Sequence, residues 1–214
     1  MKLNKKVLAI LMPILIVFIA GVFMFIKEMG IGTSDSVYKI NDANISEIKI
    51  DAQNVDVMAY SEFMGSNNHE IRILCDDWKD YFDIETINNT LTVRQIKDVS
   101  KKLSITVYTQ TNYRGKYDVN INNGNIRFAD NFILESFNCK ITTGDINMHN
   151  IISDYICMVT EVGDVKAEIS GNKDDYKVTS SVQNGESNLN SKQDGYRELV
   201  VKTISGNIDV KFHS

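Results

Sequence analysis

Apolar and polar residues alternate with a period of two along most of this 214-residue chain, and the alternation restarts at evenly spaced glycines. These are Gly124, Gly144, Gly163, Gly185 and Gly206, at spacings of 20, 19, 22 and 21 residues. Seven positions before each glycine stand Tyr117, Phe137, Ile156, Val178 and Leu199, and five before stand Val119, Cys139, Met158, Ser180 and Val201. Three before are Ile121, Ile141, Thr160, Val182 and Thr203. Two after are Ile126, Ile146, Val165, Ser187 and Ile208, and four after are Phe128, Met148, Ala167, Leu189 and Val210. The columns between are mostly polar, as in Arg127, Asn147, Lys166, Asn188 and Asp209. Successive strand side chains point to opposite faces, so this parity marks half-buried strands. Each unit predicts a strand, a tight turn at glycine and a second strand.

Weaker copies lie upstream. Phe82, Ile84 and Thr86 precede Asn89, with Leu91 and Val93 behind it. Ile48, Ile50, Val55 and Val57 surround Gln53 in the same way. The stretches 61–79, which holds Trp78, and 98–116 interrupt the rhythm. A fixed period of this size predicts a repeat architecture. In a β-solenoid, equivalent columns stack from coil to coil around one core. In an antiparallel sandwich, each unit is a hairpin turning at Asn-Gly, Thr-Gly or Ser-Gly. Parity is the same in both; the constant period favours the solenoid. Its terminal coil needs a cap, or its edge stays open to self-association.

Val7 to Ile26 is an unbroken run of 20 apolar residues. A helix of that length matches a hydrocarbon core of about 30 Å. Lys2, Lys5 and Lys6 precede it, which orients the N-terminus to the cytoplasm and the rest outside. A cleaved signal peptide is the alternative, although the run exceeds the usual apolar length of about 7–15 residues. The expected organisation is a basic cytoplasmic stub at 1–6, one N-terminal transmembrane α-helix at 7–26, a linker at 27–36 and an extracytoplasmic β-repeat domain at 37–214. That is a single-pass protein of the cell membrane.

Beyond the three N-terminal lysines the chain carries 20 basic and 28 acidic residues, a net −8. Such a domain has no general attraction for nucleic acid, so no nucleic-acid partner is expected. Cys75, Cys139 and Cys157 form no disulfide framework and no metal-binding spacing. Cys139 falls on an inward column and Cys157 on an outward one. No disulfide between them is expected, and Cys157 reads as an exposed thiol.

The residue after each glycine is Asn125, Asp145, Asp164, Glu186 or Asn207. Stacked, these side chains make a polar ladder. Such oxygens suit a weak calcium or sugar-hydroxyl site. They equally suit turns, where Asn and Asp bond their own backbone, and turn chemistry is the reading adopted. Asp145 and Asp164 lack the second carboxylate column or cleft that a glycosidase pair requires. His69, His149 and His213 are scattered and read as surface residues. No hydrolase, metalloprotease or nucleotide-binding motif is present. No catalytic, cofactor-binding or metal residue is assigned, no cofactor is expected, and the chain is expected not to be an enzyme.

Thr143-Gly144-Asp145-Ile146, Val162-Gly163-Asp164-Val165, Ser205-Gly206-Asn207-Ile208 and Asn123-Gly124-Asn125-Ile126 resemble the serial units of the bacterial "putative adhesin" family, which includes LiaG-like envelope proteins. Ser187 departs from the pattern where an aliphatic residue is expected. The resemblance covers roughly 37–212 and implies an all-β, single-stranded, β-helix-like solenoid in the cell envelope, with no catalytic or binding residues attached. The functional expectation is a membrane-anchored interaction scaffold that binds a cell-wall polymer or an envelope protein. An accessory or sensor part in envelope-stress signalling is the alternative, and a polysaccharide-acting enzyme comes third.

Overall fold

The computed structural model describes residues 37–41, 44–62, 70–75 and 78–213. Fourteen strands form one hydrogen-bonded sheet. They are β1 (Val37–Asn41), β2 (Glu47–Glu62), β3 (Glu70–Cys75), β4 (Phe82–Ile87), β5 (Thr90–Gln95), β6 (Leu103–Gln110), β7 (Lys116–Asn123), β8 (Ile126–Phe128), β9 (Phe132–Thr143), β10 (Ile146–Val162), β11 (Val165–Ser170), β12 (Tyr176–Asn184), β13 (Arg197–Ser205) and β14 (Ile208–His213).

The glycine-centred units pair in parallel and in register. Tyr117 lies beside Phe137, Val119 beside Cys139 and Ile121 beside Ile141. Ile126, Ile146, Val165 and Ile208 follow one another across β8, β10, β11 and β14. Parallel pairing rules out the hairpin alternative for these units. Their inward columns are buried, except at Ser180, Val182 and Ser187 of the Gly185 unit, and four rings, Tyr117, Phe128, Phe132 and Phe137, meet edge to face at centroid distances of 4.8–6.1 Å.

The expected single-stranded β-solenoid behind a transmembrane helix is corrected. In a solenoid each unit touches only its two neighbours. Here β2 pairs with β5, β6, β7 and β8, because its 16 residues run through the corner without a break. The partners close on themselves: β2 to β7, β7 to β9, β9 to β10, β10 to β8, and β8 back to β2. The result is a closed parallel ring of five strands with nine strands outside it. Among the outer strands, β3 pairs antiparallel with β6 and β1, and β4 pairs antiparallel with β5.

The expected membrane placement is also corrected. Among the described residues no helix is long and apolar enough to cross a membrane. The helix there, α1 (Trp78–Tyr81), has four residues. The segments 1–6, 7–26 and 27–36, on which the single-pass localisation rested, lie outside the described residues.

Both upstream copies shift on inspection of the pairing. The copy at Asn89 is an antiparallel hairpin turning at Asn88 and Asn89, both with positive φ. The copy in β2 is a true parallel unit, but its corner is Val55, two residues beyond Gln53. Asn54 pairs with Asn123 and Val57 with Ile126, on either side of Gly124. A two-residue slip preserves parity, so alternation alone is blind to it.

Spatial order departs from chain order at the C-terminal end. β13 pairs with both β10 and β12, so the Gly206 unit lies between the Gly163 and Gly185 units. The deviant unit with Ser187 is thus the outermost. Its edge is covered from within: Val178 and Lys192 exchange backbone hydrogen bonds of 2.8 and 2.9 Å. Ser191 Oγ accepts from the Ser180 N–H at 3.1 Å and donates to its carbonyl at 3.2 Å. This strap, 187–196, supplies one cap, and the antiparallel β3 and β4 bound the other end of the parallel stack.

Candidate functional site

At each glycine corner one backbone N–H turns away from the ladder. The neighbouring unit's side chain meets it. Asp56 Oδ1 accepts from the Asn125 N–H at 2.6 Å, Asn125 Oδ1 from Asp145 at 3.0 Å and Asp145 Oδ1 from Asp164 at 2.8 Å. Asp164 Oδ1 accepts from Asn207 at 2.8 Å, and Asn207 Oδ1 from Glu186 at 3.0 Å. The polar ladder is therefore structural, as turn chemistry anticipates. The partner is corrected, however: each oxygen caps the next unit's backbone and not its own. Gly144 sits against the Gly124 carbonyl with φ of 138°, where a Cβ would collide with that oxygen. Asp145 and Asp164 are adjacent links of the ladder. Among the described residues no group of three or more His, Cys, Asp or Glu side chains is arranged to hold a metal.

The outer face of β8, β10, β11 and β14 is different. A groove of about 410 Å³ crosses it, lined by Arg127, Asn147, His149, Lys166, Glu168, Asp209 and Lys211, with Phe128, Met148 and Ala167 between them turned to the core. Its polar walls are outward columns, one strand spacing apart. Two histidines that look scattered in the sequence converge here. His149 Nδ1 lies 3.0 Å from Glu168 Oε2, and His213 Nε2 lies 3.8 Å from the same oxygen. His149 reaches this position at a bulge, where the β10–β11 register shifts and Asn150 adopts φ of 52°. His69 lies outside the described residues. The second groove acid, Asp209, accepts from Asn188 Nδ2 at 2.8 Å. Among the described residues no ion pair within 4 Å engages Arg127, Lys166 or Lys211, whereas Lys49, Arg72, Lys102, Lys116, Lys192 and Arg197 each pair with a carboxylate. The column five residues after each glycine, one step beyond the repeat motif, is the signal that holds His149, Glu168 and Lys211.

On the opposite side of the units, the outward face of β7 and β9 is polar, and Asn138 Nδ2 donates to Asp118 Oδ1 at 2.6 Å. On β10 and β13 it carries Tyr155, Cys157, Val159, Val200 and Ile204. The expectation of an exposed Cys157 thiol is corrected: the residue points outward yet is only 6% exposed. It is flanked by Asn138 and Val200 on the adjacent strands. Burial first of all pushes its thiol above the ordinary cysteine range. Cys139, in the core, is pushed up by burial too. Cys139 and Cys157 are free thiols, with no disulfide between them.

No protein-family model matches this chain, and no curated protein matches it. Its fold is similar to that of a solved structure from Clostridium sporogenes described as a putative cell adhesion protein. The two are 10% identical over 83% of this chain and 98% of the other, with a TM-score of 0.59. A putative adhesin from Bacteroides fragilis is 13% identical over 81% of this chain and 95% of its own, with a TM-score of 0.40. A third solved structure, a putative lipid binding protein from Parabacteroides distasonis, is 13% identical over 83% and 96%, with a TM-score of 0.28. At 10% identity the likeness to the Clostridium sporogenes structure is one of fold.

Proposed function

We propose that this chain is a non-enzymatic binding module of the adhesin type, of the LiaG-like group its repeats resemble, and that it takes a wall polymer or a protein partner on its outer faces. The observation that carries the reading is the separation of roles within each repeat. Inward columns pack the core, and the glycine and Asx positions hold the corners through the ladder from Asp56 to Glu186. Only the outward columns are left to vary, and they stand on continuous parallel ladders at strand spacing. Rows held this rigidly lose little conformational entropy on meeting an extended partner. The cell adhesion protein that shares the fold is in keeping with this reading.

The non-enzymatic part rests on the acids. Asp145 and Asp164, the pair considered from the sequence for glycan cleavage, each hold a neighbouring N–H through Oδ1. The test is binding of the immobilised full chain to purified wall-polymer and envelope-protein fractions, with product analysis alongside. Saturable binding without cleavage is expected. Glycan cleavage that disappears in Asp145→Asn and Asp164→Asn would overturn the reading.

A further inference from the structure

We propose that the groove across β8, β10, β11 and β14 is a binding site for a phosphodiester-linked polyanion, engaged by Arg127, Lys166 and Lys211. The inference rests on the binding-module reading and names the ligand class of one face.

Three cations from three strands line a single groove of about 410 Å³. Each is exposed, and among the described residues none has a carboxylate within ion-pair distance. The groove sets two acids against these three cations, a net charge of +1 with the histidines neutral. Glu168 lies between His149 and His213, and Asp209 accepts from Asn188. The local field therefore favours an anion, although the chain as a whole is acidic. Arg127 and Lys166 stand on strands separated by β10, because Arg127 pairs with Asn147 and Asn147 with Lys166. Two strand spacings place their backbones roughly 10 Å apart. Lys211 is diagonal to Lys166, since its direct partner across β11 and β14 is Glu168. A chain with repeated anionic groups can span all three. Arg binds phosphate oxygens in a fork and Lys as a point charge, which suits phosphodiesters.

The experiment titrates poly(glycerol phosphate) into the full chain by calorimetry. Polygalacturonate, neutral dextran and poly(dT) serve as parallel arms. Binding of the phosphate polymer, weakening with salt, is expected. The triple variant Arg127→Gln, Lys166→Gln, Lys211→Gln should lose at least about ten-fold in affinity and bind with a shallower salt dependence. A second triple variant, Lys140→Gln, Lys177→Gln, Lys202→Gln, removes the same charge from other surfaces and should bind as the parent does. Equal loss in both triples would overturn the site. Tighter binding of polygalacturonate would overturn the ligand class, whereas binding of poly(dT), itself phosphodiester-linked, that is lost in the first triple variant supports it. Binding of dextran alone would sink the inference and leave the binding-module reading standing, whereas a lack of binding in all four arms and to wall fractions would remove both. Unchanged unfolding midpoints confirm that the variants are folded.

Discussion

Asp164 Oδ1 accepts a hydrogen bond from the backbone N–H of Asn207 at 2.8 Å, across 43 residues of chain. The bond skips a whole unit. Glu186, the ladder residue between them in sequence, lies beyond Asn207 and donates to it instead. The Gly206 unit has been inserted between two earlier ones, and the ladder continues unbroken through the insertion.

Removing that acceptor tests the ladder. Asp164→Ala leaves the Asn207 N–H without its partner and should cost about 1–2 kcal/mol, in the range of a lost cap. Asp164→Asn keeps an acceptor and should retain most of the stability. Denaturant unfolding of the two variants decides it. Equal losses would mean that the charge, not the hydrogen bond, matters.

The corner glycines should not tolerate a side chain. In Gly144→Ala the new Cβ meets a backbone carbonyl that cannot move without breaking the stack, and φ is unfavourable as well. A loss of more than about 3 kcal/mol, or failure to fold, is expected. Gly171→Ala is the control. Its φ is 120°, but the nearest atom to a Cβ there is the Arg197 Nη1 at 3.5 Å. Strain alone should cost about 1–2 kcal/mol. Similar losses at both sites would remove the close approach from the account.

Cys157 should react slowly with thiol reagents despite its outward direction. It is nearly covered, and burial raises its pKa, so less thiolate is present at a given pH than for a free cysteine. Labelling of a Cys75→Ala, Cys139→Ala variant should accelerate only at higher pH than for a model thiol, and Tyr155→Ala should speed it. Rapid labelling at neutral pH would contradict the covered position.

The strap over β12 should loosen in acid. Lys192 Nζ binds Asp174 Oδ1 at 2.9 Å, and that hydrogen bond lowers the Asp174 pKa below the ordinary carboxylate value. A carboxyl with a depressed folded pKa contributes stability above its unfolded pKa and loses it as pH falls through the folded one. Amide protection at Lys192 should therefore drop across the acid carboxylate range. Asp174→Asn should show the low protection at every pH; an unchanged profile would exclude this pair as the latch.

Much of the unit was legible in the chain. Inward columns such as Tyr117, Phe137 and Ile156 are buried, and the glycines have positive φ. Parity is a local property, set by the pleat, so the sequence shows it directly. The groove was less legible because its parts belong to different strands. His149, Glu168 and His213 are separated by 19 and 45 residues, and only lateral pairing brings them to one carboxylate oxygen. Cys157 had the expected direction, but its cover comes from neighbouring strands.

By itself, then, the sequence determined which residues of the glycine-centred units face the core, where those units turn and which of their positions carry the corner oxygens. Tertiary structure alone decided how units are ordered, that β2 turns at Val55, and that the parallel partners close into a ring of five. The physical reason lies in the repeat. Its columns are nearly interchangeable, so any unit can stack on any other in register. The choice among neighbours falls to contacts made once only, such as the uninterrupted β2 and the strap that seals β12.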